Sequence, residues 1–311
     1  MSGTHLSGTG QIAVGTAQDM VVALEGSNGQ VSETSFESEW GGLDAYVITQ
    51  DDCVLDPITM DFHLFELCIG GRQHGRAETE HSLSRPETTW RPGAAFFTPA
   101  GRRVVNVQAE GSCTNLHIAI TDAMMADVKR HLLPGDPDRM DLHAFNESYD
   151  HRLREHALAI HHELVHPAGG GALKANALAM ALCVELVRLD PASGPARALL
   201  PDRLSHAQLG RALDAMEAGM RRDVGMDEIA GAAGVAPARF TTAFRASMGV
   251  APHEHLLARR LACAQRRLRT SGSTVDEIAR LCGFATPAQL RSAFARELGT
   301  TPTKYRREVS A

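Results

Sequence analysis

One short motif occurs twice near the end of the chain. Asp227-Glu228-Ile229-Ala230 returns as Asp276-Glu277-Ile278-Ala279. Each copy runs on to a glycine (Gly234, Gly283), a turn, a helical stretch ending in Phe244 or Phe294, and a Gly-x-x-Pro (Gly249 to Pro252, Gly299 to Pro302). The offset is 49 residues at the first marker and 50 from the phenylalanine onward, so the second turn holds one extra residue. Such a segment has few ways to fold. Ile229 with Ala230, and Ile278 with Ala279, supply the first short helix of each copy to a small core. Gly234 and Gly283 can take the positive φ needed where one helix ends and the next turns away. Phe240 and Phe244, or Leu290 and Phe294, stand at i, i+4 and bury one face of the second helix. The opposite faces must then point outward. They carry Ala238, Arg239, Thr241, Thr242 and Arg245 in copy one, and Ala288, Gln289, Arg291, Ser292 and Arg296 in copy two. Leu257, Leu261, Ala264 and Leu268 stripe a connecting helix whose other faces carry Arg259, Arg260, Arg266, Arg267 and Arg269. Leu209, Leu213, Met216 and Met220 form a similar stripe before copy one.

Charge separates this region from the rest. Residues 203–311 hold 17 of the 31 Lys+Arg and 10 of the 37 Asp+Glu, a balance of +7, whereas the chain as a whole is at -6. Residues 1–202 are therefore at -13. Arginine supplies nearly all the positive charge, which suits planar, bidentate contacts. A basic module on an acidic body suits nucleic acid. Arg, Gln, Thr and Ser can bond base edges or phosphates from the major groove, and a duplicated helix–turn–helix unit can enter two stretches of that groove. A purely protein-binding helical repeat would leave the arginine bias unexplained.

Residues 205–307 resemble the DNA-binding domain of the AraC/XylS family of bacterial transcription regulators. Copy two carries the resemblance best: Ile278-Ala279-Arg280-Leu281-Cys282-Gly283-Phe284, then Phe294, then Gly299-Thr300-Thr301-Pro302-Thr303-Lys304-Tyr305-Arg306. Ala285 stands where a serine often caps the second helix, Pro287 occupies its first turn, and Leu290 replaces the commoner Phe. Copy one has Ala236 at its cap, followed by Pro237. A missing cap costs about 1 kcal/mol, and proline is tolerated in a first turn. The resemblance implies that each subunit sets two recognition helices into successive major grooves, about 34 Å apart. Its DNA-contacting residues would be Arg239, Thr241, Thr242, Arg245, Gln289, Arg291, Ser292 and Arg296. Its partners would be double-stranded promoter DNA, a small-molecule effector, a second copy of the chain as a homodimer, and RNA polymerase.

The expected organisation is a two-domain α+β chain. Residues 1–30, rich in Gly, Ser and Thr, read as loose. Residues 31–121 read as short strands: Ala45–Ile48, Leu64–Ile69, Ala95–Phe97, Val104–Val107 and Leu116–Ile120. Residues 122–190 read as helices, with Asp122 capping the first, which ends at Pro134-Gly135, and others near 147–165 and 172–190. The last is apolar on two faces: Leu173, Ala177, Met180, Val184 and Val187 on one, Leu178, Leu182 and Leu186 on the other. The second face can pack on a partner subunit or inside its own domain. Residues 191–203 read as a linker, and residues 204–311 as an all-α domain with two helix-turn-helix motifs joined by a linker helix. Gly93 to Gly101 fits G-x5-P-x-G and resembles the second motif of cupin barrels. Val104 and Gln108 stand where metal-binding cupins carry His and Asn, and the first cupin motif is absent, so no metal or other cofactor is expected. The implied cupin-like β-barrel would serve as an effector pocket, with Arg72, His74, Arg76, His81 and Trp90 near its mouth to grip an anionic or aromatic ligand. A barrel that only dimerises is the alternative. His63 and His117 read as core histidines.

His162-Glu163-Leu164-Val165-His166 matches H-E-x-x-H, the zinc-protease motif, with Glu185 downstream as a possible third ligand. Pro167 disfavours helical geometry at His166, where the second ligand must be held. No catalytic residue is assigned, and an enzyme is not expected. The six cysteines lack C-x-x-C spacing and read as core residues of a reduced protein. The first twenty residues lack an export pattern, and the longest apolar stretch, Ala177 to Val184, is too short to cross a bilayer. The expected location is the cytoplasm.

Overall fold

The computed structural model describes residues 5–7, 11–38, 40–80, 82, 86–133, 140–167, 170–190, 203–222 and 224–309. The expected linker up to residue 202, the Pro134-Gly135 helix end and His81 lie outside the described residues. The chain divides into two compact units, Met1–Leu200 and Pro201–Ala311.

The first unit opens with β1 (His5–Ser7), β2 (Gln11–Val14), α1 (Ala17–Glu25) and β3 (Gly29–Thr34). The opening segment is therefore built rather than loose across most of its described residues. Thr16 and Asp19 form a reciprocal capping box, with the Asp19 N–H donating to Thr16 Oγ1 at 3.1 Å and the Thr16 N–H to Asp19 Oδ2 at 3.1 Å. Met20, Val21 and Leu24 bury the inner face of α1. The composition of the segment concealed a helix held by a local capping box and the buried side chains of Ala17, Met20, Val21 and Leu24.

The sheet continues with β4 (Leu43–Leu55), β5 (Ile58–Met60), β6 (Phe62–Thr79), β7 (Glu87–Trp90), β8 (Ala95–Thr98) and β9 (Arg103–Thr121). The helices α2 (Asp122–Leu132), α3 (His151–Val165) and α4 (Gly171–Leu189) follow, with β10 (Phe145–Ser148) ahead of α3. The ten strands form one sheet, ordered β1-β2-β5-β9-β6-β8-β10, with β4 also pairing β9 and β3, and β7 pairing β6. All the pairs are antiparallel except β2 with β5.

β4, β6 and β9 run far beyond the short segments expected. Glycines that read as strand ends sit inside them. A Cβ on Gly71 would lie 2.3 Å from Ser112 O, and one on Gly75 would lie 2.0 Å from Gln108 O. These glycines mark the close approach of β6 and β9, not turns. They let Val104–Val107 and Leu116–Ile120 belong to one strand.

Each long strand divides its apolar side chains between two cores. Ala45, Val47, Phe65, Leu67, Leu116, Ile118 and Ile120 face the helices, packing with Met125 and Val128 of α2, Leu153 and Ile160 of α3, and Leu182 and Leu186 of α4. Tyr46, Ile48, Leu64 and Ala119 face the other way, with Met20 and Leu24 of α1. Register shifts between Cys68 and Gly70 in β6 and between Asp51 and Cys53 in β4 then invert the alternation.

Local details adjust the helix ends. Thr121, not Asp122, caps α2 through Oγ1, which accepts the Met124 N–H at 3.3 Å; Asp122 instead lies 3.2 Å from buried His63. Of the two faces expected on α4, Leu182 and Leu186 are buried. Leu173 and Met180 are exposed, at 79 % and 44 %, whereas Val187 from the same expected face is buried. Among the described residues, no helix is long and apolar enough to cross a membrane.

The second unit is helical throughout: α5 (His206–Ala218), α6 (Met226–Ala233), α7 (Pro237–Met248), α8 (Pro252–Thr270), α9 (Val275–Leu281), α10 (Pro287–Leu298) and α11 (Pro302–Val309). α8 carries Leu261, Ala264 and Leu268 into a core shared with Ile278, Leu290 and Phe294. The Leu209 stripe ends earlier than its spacing suggested. α5 stops at Ala218, and Met220 packs on the core of the second copy instead. Its carbonyl explains Gly283, which has φ +78° and where any Cβ would lie 1.7 Å from Met220 O. Gly234, with φ +68°, meets only the Arg211 guanidinium at 3.4 Å.

Gly234→Ala should therefore lower stability by about the 1–3 kcal/mol of left-handed strain, and Gly283→Ala by clearly more. Denaturant unfolding of the two variants checks this; equal losses would remove the role given to the Met220 carbonyl.

Candidate nucleic-acid interface and enclosed cavity

In copy one, α6 delivers Ile229, Ala230 and Ala233 to the core, and Gly234 ends it in the left-handed conformation. α7 packs through Phe240 and Phe244, whose rings lie 5.6 Å apart, and Phe244 meets His255 of α8 edge-on at 5.8 Å. In copy two, α9 delivers Ile278 and Ala279, and α10 packs through Leu290, Ala293 and Phe294, with Phe294 edge-on to Tyr305 of α11 at 5.6 Å. α7 and α10 end at Gly249 and Gly299, both left-handed.

This packing leaves all eight side chains expected to contact DNA exposed: Arg239, Thr241, Thr242 and Arg245 on α7, and Gln289, Arg291, Ser292 and Arg296 on α10. Their hydrogen bonds and ion pairs are mostly local. Arg245 lies 4.0 Å from Glu254, Arg291 3.8 Å from Asp276, and Arg296 donates to Glu297 at 2.6 Å. Arg239 donates to Arg203 O at 3.3 Å. Exposed pairs of this kind are weak and yield readily to a phosphate.

The two helix starts differ. α7 begins at Pro237 after Ala236, which offers no side-chain cap. α10 does have a cap, contrary to the expectation placed on Ala285. With Pro287 as the first helical residue, the capping position falls on Thr286, whose Oγ1 accepts the Gln289 N–H at 3.2 Å. The Gln289 side chain also turns back, its Oε1 accepting the Ala285 N–H at 3.1 Å. The extra residue of the second turn is what makes room for Thr286. Gln289 thus has a structural task that its residue type alone did not reveal.

The H-E-x-x-H segment brings its two imidazoles within 5.1 Å of each other, but among the described residues no three His, Cys, Asp or Glu side chains are grouped to hold a metal ion. α3 stops at Val165, and His166 is its cap, with φ -127° and ψ 68°. The Glu163 carboxylate is buried against Lys174, which holds it below the usual carboxylate range. Glu185 lies 3.5 Å from Arg152 and 3.4 Å from Arg188. Both carboxylates that a zinc hydrolase would need are neutralised by cations.

The first unit holds a partly open cavity of about 60 Å³ between its sheet and α1. Of the described residues expected at a pocket mouth, Trp90 alone lines it. Arg72 and His74 are exposed, His74 bonds Thr89 at 3.0 Å, and Arg76 lies 3.1 Å from Glu78 and 3.6 Å from Glu87. The β6 register shift is the reason. Before it Leu64 and Glu66 face the cavity; after it Gln73, Ala77 and Thr79 do, so the even-numbered Arg72, His74 and Arg76 point away. β4 inverts likewise, from Gln50 to Cys53 and Leu55.

Polar groups missed in the sequence therefore line the cavity: Glu66, Gln50, Gln73, Asn115 and Asn146. The one available signal was Glu66, a carboxylate inside an otherwise apolar strand. Gln73 Nε2 donates to Gln50 O at 3.1 Å and Gly111 O at 3.2 Å, and its Oε1 accepts from Cys113 at 2.9 Å. Glu66 Oε1 lies 3.3 Å from Nε2 of buried His117, whose Nδ1 is 3.0 Å from Tyr46 Oη. Burial pushes the Glu66 carboxyl up to about 7 and His117 down to about 3, so both are neutral over the lower part of that interval.

These geometries set the comparisons in place. Residues 229–308 match the family model described as "Helix-turn-helix domain". The chain is 30% identical over 150 residues to a Streptomyces lividans protein described as an AraC-like transcription regulator, covering 48% of this chain and 49% of that one. It is 30% identical over 142 residues to the HTH-type transcriptional regulator ArgR of Pseudomonas aeruginosa, covering 44% and 42%. Among solved structures, the DNA-binding domain of AdpA, the global transcriptional factor, in complex with a target DNA, is similar at 35% identity and a TM-score of 0.31, covering 32% of this chain and 91% of that one. The chain spans about a third to a half of the length of the first curated relatives it matches. The second unit thus carries a helix-turn-helix domain, similar over this stretch to proteins described as transcription regulators. Its helix-turn-helix domain is of the AraC type.

The half-buried Glu66 gives a pH test. The Glu66 value in the folded chain is raised above its ordinary 4.5, to about 7. Between these values the native state keeps a proton that the unfolded chain has lost, so this contribution to stability declines as pH rises. His117 acts oppositely, between about 3 and 6.5, and is common to wild type and variant. Glu66→Gln should therefore gain about 2 kcal/mol on wild type between pH 5 and pH 7. Urea unfolding at both pH values measures it; an unchanged difference would show that Glu66 ionises as in water.

Proposed function

We propose that the chain is a sequence-specific DNA-binding transcription regulator of the AraC/XylS type, acting in the cytoplasm under the control of a small molecule bound in its N-terminal unit. One observation carries the DNA reading: two helix pairs of like construction, within residues 203–311 of net charge +7, bury the same face of α7 and α10 and expose the other. α7 and α10 are the recognition helices, and the rigid α8 between the pairs spaces them for successive major grooves. They are unequal readers. Copy one offers Arg239, Thr241, Thr242 and Arg245, and copy two offers Gln289, Arg291, Ser292 and Arg296, so the site of one subunit need not be a palindrome.

Gel-shift assays of the full chain on fragments of its source genome test this reading. Salt-sensitive retardation of particular fragments is expected; retardation of none would sink it. Arg291→Ala should weaken binding to such a fragment by about 1–3 kcal/mol and change binding to unrelated DNA far less; equal losses would mean that Arg291 touches phosphate only.

The N-terminal unit serves as a cupin-like effector barrel. Its support is the cavity with both apolar and polar lining, together with the G-x5-P-x-G segment, whose Gly93 and Gly101 take φ +92° and +72° on either side of β8. Ligand in the cavity biases the placement of the DNA-binding arms by population shift. The same unit dimerises through α3 and α4, with RNA polymerase as a further partner on the promoter. Exposed Leu158, Val165, Leu173 and Met180 all lie on these two helices, an apolar surface suited to a second copy. Met180→Asp should convert a dimer to monomer in sedimentation equilibrium without lowering the unfolding midpoint; an unchanged mass would place the interface elsewhere.

A further inference from the structure

The chemistry of the cavity wall selects a charge type. Among the described residues that line it there is one carboxyl, Glu66, and no lysine, arginine or histidine. An anion inside would meet no counter-charge and would leave water uncompensated. Glu66 keeps 24 % of its side-chain surface exposed, and the cavity is a surface it lines. His117 stands directly opposite Glu66 in the β6–β9 register, with its Nε2 3.3 Å from one carboxyl oxygen. Asn115, two residues along β9 on the same face, is the diagonal neighbour of Glu66.

Two amides on this wall are buried and incompletely satisfied. Asn115, 3 % exposed, uses Nδ2 on Cys113 Sγ and has no partner for Oδ1. Gln50, 5 % exposed, has no partner for Nε2. Buried groups of this kind are ordinarily bonded, and the open Asn115 acceptor beside a carboxyl fits a ligand N–H, whereas Gln50 Nε2 is a donor that such a ligand does not meet. Trp90 and Phe96, stacked at 5.3 Å, supply an aromatic stretch of wall, which favours a cation further. A volume of about 60 Å³ has room for roughly four to six water positions, hence for a compact molecule.

We propose that this cavity binds a small organic ammonium ion, its N–H groups donating to Glu66 and Asn115 Oδ1 and its hydrocarbon lying against Trp90 and Phe96. The proposal rests on the reading of the first unit as an effector-binding barrel and names the chemistry of that effector. An anionic ligand, the kind Arg72 and Arg76 suggested in the sequence, is disfavoured because both residues lie outside the cavity. Arrival of the ammonium restores the ionised carboxylate, so binding near neutral pH releases a proton from Glu66.

Calorimetric titration of the full-length protein with isobutylamine, isobutanol and isobutyrate, one skeleton with three head groups, is the test. Isobutylamine should bind about 10- to 100-fold more tightly than isobutanol, with isobutyrate weakest. Glu66→Gln, with its unfolding midpoint checked, should reduce the preference for the amine to about threefold or less by removing the charge-assisted bond. If that variant does not fold, the ranking of the three head groups on the wild type decides alone. Isobutanol or isobutyrate binding as tightly as the amine would overturn the ammonium assignment and leave the effector reading standing. Binding of none of the three would overturn both.

Discussion

Everything proposed for the second unit depends on one packing constraint, the burial of an apolar pair at i, i+4 on α7 and α10. Phe240 with Phe244, and Leu290 with Phe294, are almost wholly removed from water, and each such side chain contributes about 1.5–3 kcal/mol by that burial. A helix held by two such anchors cannot rotate about its axis without exposing them. The outward positions of Arg239, Thr241 and Thr242, and of Gln289, Arg291 and Ser292, are consequences of that anchoring. α8 extends it, because Leu261, Ala264 and Leu268 seat the second pair on the helix that leads from the first.

The first unit depends on a different device. Two register shifts let single long strands serve two cores and a cavity. Without them β4 and β6 would keep one parity from end to end, and Arg72, His74 and Arg76 would face inward in place of Gln73 and Ala77. Gly71 and Gly75 permit the close passage of β9 over β6 that this arrangement needs. The result is a space walled by Glu66, amides and aromatic rings and free of basic side chains among its described lining.

Much of the helical unit was legible from spacing alone. The repeat located α6 with α7 and α9 with α10, and the i, i+4 pairs assigned their buried faces, since helical periodicity is a property of neighbouring residues. The misread details were those set by a third element. Thr286 became the cap through the extra turn residue, and Met220 left its stripe because α5 ends and its carbonyl meets Gly283. In the sheet, segments such as Ala95–Phe97 were legible as strands. Their true extent was not, because a glycine at a strand crossing looks like a glycine at a turn.

The amino-acid sequence by itself determined the duplicated helix pairs, their exposed polar faces and the division of charge between the two units, because these follow from local spacing and composition. Only the tertiary structure decided which residues meet the cavity. The faces of a strand alternate every residue, so a single register shift exchanges inside for outside, and nothing local marks where it falls. The same holds for the H-E-x-x-H segment. Its spacing is local, but the Lys174 that neutralises Glu163 and the Arg152 beside Glu185 each come from the neighbouring helix.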